Sequence, residues 1–141
     1  MLVRLIYASR AKASLGSQDL QGILEQCKAH NPAEGITGML CHSEGTFLQV
    51  LEGGRTEVNR VYARIVADGR HEQIELIDFE EIGQRRFANW SMGLVNVDRV
   101  NRALLLRYGA HARLDPYTMP ASATLALLTE LAESASVVCA P

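Results

Sequence analysis

Apolar residues dominate the opening of the chain from Leu2 to Ala8, a run rich in Leu, Val and Ile that predicts a buried strand. Leu20, Ile23, Leu24 and Cys27 then recur at i, i+3, i+4 and i+7, the spacing of one helix face, with Ser17 placed to cap it. Asn31-Pro32 is expected to end this helix, because proline restricts the residue before it. Ile36 to His42 and Thr46 to Glu52 predict two strands joined by the hairpin loop Ser43-Glu44-Gly45. Gly53-Gly54 breaks the pattern, and Thr56 is placed to cap a second helix striped by Val58, Val61, Tyr62, Ile65 and Val66. Asp68-Gly69 closes it. Ile74 to Ile82 and Trp90 to Val97 predict two last strands around a polar loop containing Gln84-Arg85-Arg86.

The first six elements follow the order of the split βαβ, ferredoxin-like arrangement. The expected fold class is therefore α+β: a five-stranded sheet with two helices on one face and a C-terminal helical extension. The chain divides into residues 1–97, holding the sheet, and residues 98–141. In the second part Asp98 to Tyr108 predicts a helix halted at Gly109, and Pro120 suits the first turn of a last helix. Leu125, Leu128, Leu131 and Ala132 stripe that helix, and either the bare face of the sheet or a second subunit must cover them.

With 141 residues, 48% of them hydrophobic and 21% charged, the chain is of globular type and long enough for a substantial core. A net charge of −2, with no face enriched in Lys and Arg, argues against nucleic acid and membrane surfaces as partners. Met1-Leu2-Val3-Arg4 does not open a secretion signal, and no apolar stretch is long enough to span a bilayer. Cys27, Cys41 and Cys139 are odd in number and lack CxxC spacing, so free thiols in a reducing cytoplasm are expected. His30, His42, His71 and His111 are scattered, and no metal site is expected.

One residue is chemically out of place. Gln49 lies inside Phe47-Leu48-Gln49-Val50-Leu51, and in a strand it shares a face with Phe47 and Leu51. An unpaired carboxamide in a core costs about 1–3 kcal/mol, so something must bond to it. A backbone group or buried water would suffice; a ligand with a mixed donor and acceptor edge would also explain it. Other polar candidates also have plain structural explanations. Tyr7 ends the first strand as an amphipathic core phenol. His30-Asn31 follows the first helix as a cap and turn, and Trp90-Ser91-Met92 opens the last strand as packing. Asp68, Arg70 and His71 form a polar knot after the second helix, while Arg64 is spaced for an i, i+4 ion pair with Asp68.

Taken together, these residues carry a resemblance. Leu5-Ile6-Tyr7-Ala8-Ser9, Asn31 with Ile36-Thr37-Gly38-Met39-Leu40, and Phe47-Leu48-Gln49-Val50-Leu51-Glu52-Gly53 stand in one order. Arg64-Ile65 with Asp68-Gly69-Arg70-His71, and Arg86-Phe87 with Trp90-Ser91-Met92-Gly93, continue it. In these blocks residues 1–97 resemble the blue-light-using flavin (BLUF) photoreceptor family, in the short form without a fused effector. The resemblance implies a noncovalent flavin between the two helices, FAD first, with FMN and riboflavin as alternatives. It implies Tyr7 as the photochemical electron and proton donor and Gln49 as the residue between Tyr7 and the ring. Ser9, Ile23, His30, Asn31, Leu40, Arg64, Ile65, Asp68, Arg70 and His71 are the implied remaining flavin contacts, with Trp90 and Met92 as signalling residues.

The residue types suit that role. Carboxamides match an edge of carbonyl acceptors and N–H donors, and a phenol with a pKa near 10 holds its proton at neutral pH. No nucleophile–base pair is evident, so an enzyme is not expected. Light is implied to rearrange the bonds of Gln49, by amide rotation or a change of tautomer, and to repack Met92 or Trp90. Residues 98–141 carry no catalytic or DNA-binding motif, which in this resemblance implies a separate effector protein, with cyclic-dinucleotide phosphodiesterases and transcription regulators among the family's partners; self-association through the sheet or the apolar tail is also expected. Two rivals share the fold: a light-independent ligand- or partner-binding regulator, and an acylphosphatase-like hydrolase using Gly53-Gly54-Arg55 as a phosphate cradle.

Overall fold

The computed structural model describes residues 1–12, 17–134 and Val137. The expected cap at Ser17, the side chain of Leu20, and Cys139 lie outside the described residues or side chains. β1 (Leu2–Ala11), α1 (Ser17–Glu34), β2 (Thr37–Ser43), β3 (Thr46–Gly54), α2 (Arg55–Ala67) and β4 (His71–Ile82) follow the ferredoxin-like order. A short β5 (Gly93–Asn96) leads to α3 (Arg102–Tyr108) and α4 (Ala121–Ser134). The sheet order is β4-β1-β3-β2-β5, antiparallel except where β5 runs parallel to β2. β1 and β3 are central strands, which is why they read as nearly unbroken apolar runs.

The two faces of the sheet bury two separate cores. On one face Val3, Leu5 and Tyr7 of β1 and Phe47 and Leu51 of β3 pack under Ile23 and Leu24 of α1 and Val58 and Val61 of α2. On the other, Ile6, Met39, Cys41, Leu48 and Val50 pack under Leu104 and Leu105 of α3 and Leu127, Leu128 and Leu131 of α4. The α4 stripe therefore lies on the face of the sheet opposite α1 and α2.

Several boundaries differ from those predicted. α1 does not stop at Asn31-Pro32; it runs through Pro32 to Glu34. Gly35, at φ +71°, ends it: its N–H reaches Pro32 O at 3.3 Å and Ile36 N–H reaches Asn31 O at 2.9 Å, a Schellman closure. Thr56 does not cap α2, since Gly54 holds the N-cap position and places Thr56 inside the first turn. The expected strand Trp90–Val97 shrinks to Gly93–Asn96, with Trp90-Ser91-Met92 leading into it. The expected Asp98–Tyr108 helix splits into a 3₁₀ turn at Val97–Arg99 and α3, whose N-cap Asn101 accepts from Ala103 N–H at 2.9 Å. β1 and β4 are longer than predicted, because Arg10↔Glu72 and Ala11↔His71 continue their pairing.

One buried carboxylate ties the blocks of sequence together. Glu52 is fully buried and accepts from Arg4 Nε at 2.8 Å, from Phe87 N–H at 2.6 Å and from Arg86 N–H at 2.9 Å. It thereby anchors the loop that carries the chain from β4 to Trp90.

Candidate functional site

Tyr7 on β1 and Gln49 on β3 are direct Cα partners in the antiparallel register, so their side chains rise side by side on the α1/α2 face. The Tyr7 hydroxyl donates to Gln49 Oε1. Gln49 Nε2 donates to Met92 Sδ at 3.2 Å, so the carboxamide joins the phenol to the residue just ahead of β5. Tyr7 is 1% exposed and Gln49 3%. Burial holds the Tyr7 phenol well above its ordinary value of 10.0, with Cys27, Tyr62 and Asp68 adding to the shift. The phenol is protonated throughout the physiological range.

Above this pair, α1 and α2 stand apart around a cleft of about 420 Å³. Ile23, Cys27, His30 and Asn31 line it from α1; Val61, Arg64 and Ile65 from α2; Asp68, Arg70 and His71 from the turn into β4. Tyr7 and Gln49 form its floor. Asn31 is 2% exposed, and its Nδ2 donates to Ser91 O at 2.9 Å. Burial pushes the Cys27 thiol up to about 11, against the pull of Arg70, Arg64 and a hydrogen bond with Asn31. At the mouth, Arg70 clasps Asp68, with Nη2 to Oδ2 at 2.6 Å, and that bond is the main reason the Asp68 carboxyl lies below its ordinary range. Arg64 does not pair with Asp68 as its i, i+4 spacing predicted. It holds both carboxylate oxygens of Glu34 at 2.6 and 2.7 Å, because the last turn of α1 brings Glu34 closer.

Of the sequence-derived contacts, Tyr7, Ile23, His30, Asn31, Gln49, Arg64, Ile65, Asp68, Arg70 and His71 converge on this cleft. Ser9 and Leu40 stand behind its wall: Ser9 Oγ bonds His71 Nδ1 at 3.0 Å, and Leu40 is the β2 partner of Gln49. Met92 is fully buried against the floor, whereas Trp90 packs into the core of the opposite face. The sequence reading missed Gln26, Cys27, Val61 and Ala67 as lining residues. A signal existed: Ile23, Cys27 and Asn31 are successive i, i+4 positions, so any ligand touching the first and last must pass the thiol.

The cleft fits a planar, partly apolar ring. Ile23 and Ile65 line it from the two helices, and two buried carboxamides, Gln49 from β3 and Asn31 from α1, bring amide donors and acceptors to it. It does not suit phosphate chemistry at Gly53-Gly54-Arg55. There the Glu57 carboxylate sits so close that a Cβ on Gly54 would lie 2.3 Å from its Oε2, leaving a negative group at the start of α2.

Comparison with known proteins agrees with this geometry. Residues 2–93 match the family model for BLUF, sensors of blue light using FAD. The chain is 32% identical over 92 residues to photoactivated adenylate cyclase subunit beta of Euglena gracilis, covering 64% of this chain and 11% of that protein. It is 28% identical over 97 residues to the blue light- and temperature-regulated antirepressor BluF of Escherichia coli, covering 69% of this chain and 24% of that one. Among solved structures, photo-activated BlsA superposes with a TM-score of 0.86 at 30% identity, covering 94% of this chain and 95% of that one. Dark-state BlrB gives 0.81 at 34% identity, covering 94% and 96%. The chain thus spans about a tenth of the cyclase subunit's length but nearly all of BlsA and BlrB. With a matched segment that takes in both amides, the phenol and the tripeptide ahead of β5, this chain belongs to the BLUF family of flavin-dependent blue-light sensors.

Proposed function

We propose that this protein is a blue-light photoreceptor that holds FAD noncovalently in the α1/α2 cleft and signals to a separate effector. The observation that carries this reading is the buried line Tyr7–Gln49–Met92, a phenol hydrogen-bonded to a carboxamide that is itself bonded to a thioether. A bound flavin supplies the visible absorption and the photochemical oxidising power. Ile23 and Ile65 flank its ring, Asn31 and Gln49 meet its polar edge, and His30, Arg64, Asp68, Arg70 and His71 line the rest of the cleft.

Tyr7 gives up an electron and its phenolic proton after illumination, and Gln49 carries the hydrogen-bonding change. Turning the carboxamide over would set its oxygen against Met92 Sδ, and Met92 would lose its donor. Met92 and Trp90 face opposite cores of the sheet, so a shift of Met92 reaches the α3/α4 side through two peptide bonds. A cyclic-dinucleotide phosphodiesterase or a transcription regulator fits the effector role. The Klebsiella pneumoniae protein BlrP1, with cyclic diGMP, superposes on this chain with a TM-score of 0.68 at 27% identity, and BluF is an antirepressor. Cys27 and Cys41 are free thiols, in keeping with a reducing cytoplasm, and no described helix is long and apolar enough to cross a membrane.

The deciding measurement is the absorption spectrum of the purified protein in darkness and under blue light. A flavin spectrum that shifts reversibly to the red is expected, and Tyr7→Phe should retain the pigment yet lose the shift. A protein that stays colourless after exposure to FAD would refute the reading, as would a normal shift in Tyr7→Phe for the role given to Tyr7.

A further inference from the structure

The tripeptide Trp90-Ser91-Met92 is held by three donors from three elements. Gly38 N–H on β2 reaches Trp90 O at 3.1 Å, Asn31 Nδ2 on α1 reaches Ser91 O at 2.9 Å, and Gln49 Nε2 on β3 reaches Met92 Sδ at 3.2 Å. The first donor is main chain in the sheet interior, where a Cβ on Gly38 would lie 2.0 Å from Val50 O; it is a fixed pivot. The other two are side-chain amides that line the cleft. Gln49 holds only a side chain of the tripeptide, whereas Asn31 holds its backbone.

We infer that Asn31 is a positioning residue for signal output: it links the cleft directly to the Ser91 carbonyl and so sets the path of the chain into β5, in parallel with the Gln49–Met92 contact. The inference rests on the photoreceptor reading above. Its physical basis is that Asn31 has two N–H donors and one acceptor. One donor is committed to Ser91, and the residue also lines the ligand cleft. A change in what the cleft asks of that amide is felt at Ser91 O, because Asn31, 2% exposed, has little water to turn to, while Ser91 is half-buried. Its backbone is fixed as well, since Asn31 O closes the Schellman turn through Ile36 N–H and Ile36 is buried. The amide therefore pivots on a rigid stem. A ring-edge change transmitted here acts on main chain directly, whereas the contact at Met92 Sδ acts on it through the Met92 side chain.

The chain contains one tryptophan, Trp90, which makes the tripeptide separately observable. Fluorotryptophan incorporated at Trp90 gives one ¹⁹F resonance, recorded in the FAD-loaded protein in darkness and light. Its light-minus-dark shift is divided by the fraction of molecules that show the flavin red shift. Asn31→Ser, whose side chain is too short to reach Ser91 O, should reduce this normalised shift about twofold or more. Asn31→Asp, which keeps the shape but replaces the donor with an acceptor, should reduce it at least as far. In the flavin-free protein both variants should also change the dark Trp90 resonance, because the clamp joins two protein groups, Asn31 Nδ2 and Ser91 O, and needs no ligand to form. A normalised light response equal to that of the unaltered protein, in either variant, would overturn the clamp and leave the photoreceptor reading standing. Failure of the unaltered protein to bind flavin or to shift would instead remove the reading on which the clamp rests. If both variants lose flavin, the flavin-free resonance decides: one identical to that of the unaltered protein overturns the clamp, and a displaced one supports it.

Discussion

Tyr7 and Gln49 meet because β1 and β3 pair in a register that makes them direct partners, and a slip of one residue would turn every side chain of a strand to the opposite core. The same strictness explains why the polar groups around them are all engaged; among the described residues no buried side-chain N or O atom lacks a partner. His71 shows what that engagement does to titration. Burial pulls its imidazole below the ordinary 6.5, Asp68 resists and Arg70 adds to the fall. Burial lowers His42 in the same way, with Asp98 resisting. For both, the unfolded chain takes up protons first as pH falls, so stability is complete above about pH 6.5 and declines below it. The melting temperature of the flavin-free protein should fall between neutral pH and about pH 5, and His71→Asn should flatten that decline. A melting temperature unchanged over this interval would contradict the assignment. Removing the Gln49 carboxamide tests the other end of the network. Gln49→Leu should retain flavin but show no red shift, and a normal shift in that variant would exclude the relay.

At the scale of elements, two glycines separate conformational need from close approach. Gly35 needs its positive φ of +71° to end α1 but meets nothing where a Cβ would stand; Gly35→Ala should cost about 1 kcal/mol through backbone strain alone. Gly38 has the opposite problem, since its added Cβ would meet the Val50 carbonyl oxygen at 2.0 Å and the Met92 methyl at 3.3 Å. Gly38→Ala should therefore cost about 1–3 kcal/mol or more and disturb the tripeptide, both measurable by urea unfolding and the Trp90 signal. Equal effects for the two variants would refute this distinction. The same comparison shows where sequence reading succeeds. Helix stripes such as Val58, Val61 and Ile65, and the apolar strands, were legible because their periods are geometric. The stop of α1 was not, because Pro32 suggested an end that Gly35 and the Asn31 carbonyl set three residues later. Ten residues of the cleft, Tyr7 and Gln49 among them, were legible by resemblance, while Gln26, Cys27, Val61 and Ala67 were missed, although the i, i+4 spacing of Ile23, Cys27 and Asn31 could have signalled Cys27. The Arg64–Glu34 pair and the hold of Asn31 on Ser91 were not, since each depends on where α1 ends in space rather than on spacing along it.

For the whole molecule, the consequential fact is that one sheet serves two cores. The strands that floor the cleft with Tyr7 and Gln49 turn Ile6, Leu48 and Val50 to the other side, where Leu127, Leu128 and Leu131 of α4 cover them. Arg86 Nη1 to Thr129 Oγ1 at 3.2 Å links α4 to the loop anchored by Glu52, and Glu130 is bonded by Arg107 and Tyr108 of α3. α4 is thus part of the cooperative unit, and deleting it to test output would strip one face of the sheet. A point substitution is the sharper test. Leu128 is fully buried, and Leu128→Ala should cost about 2–5 kcal/mol, whereas Leu106→Ala, at a side chain 53% exposed, should cost little. In the loaded protein, unfolding followed by far-ultraviolet circular dichroism and by flavin release should show one coincident transition, moved to lower urea by Leu128→Ala. Flavin released well after a first loss of helix would mean that α4 unfolds on its own, and a signal routed from Met92 to the α3/α4 face would then have no rigid body to act upon.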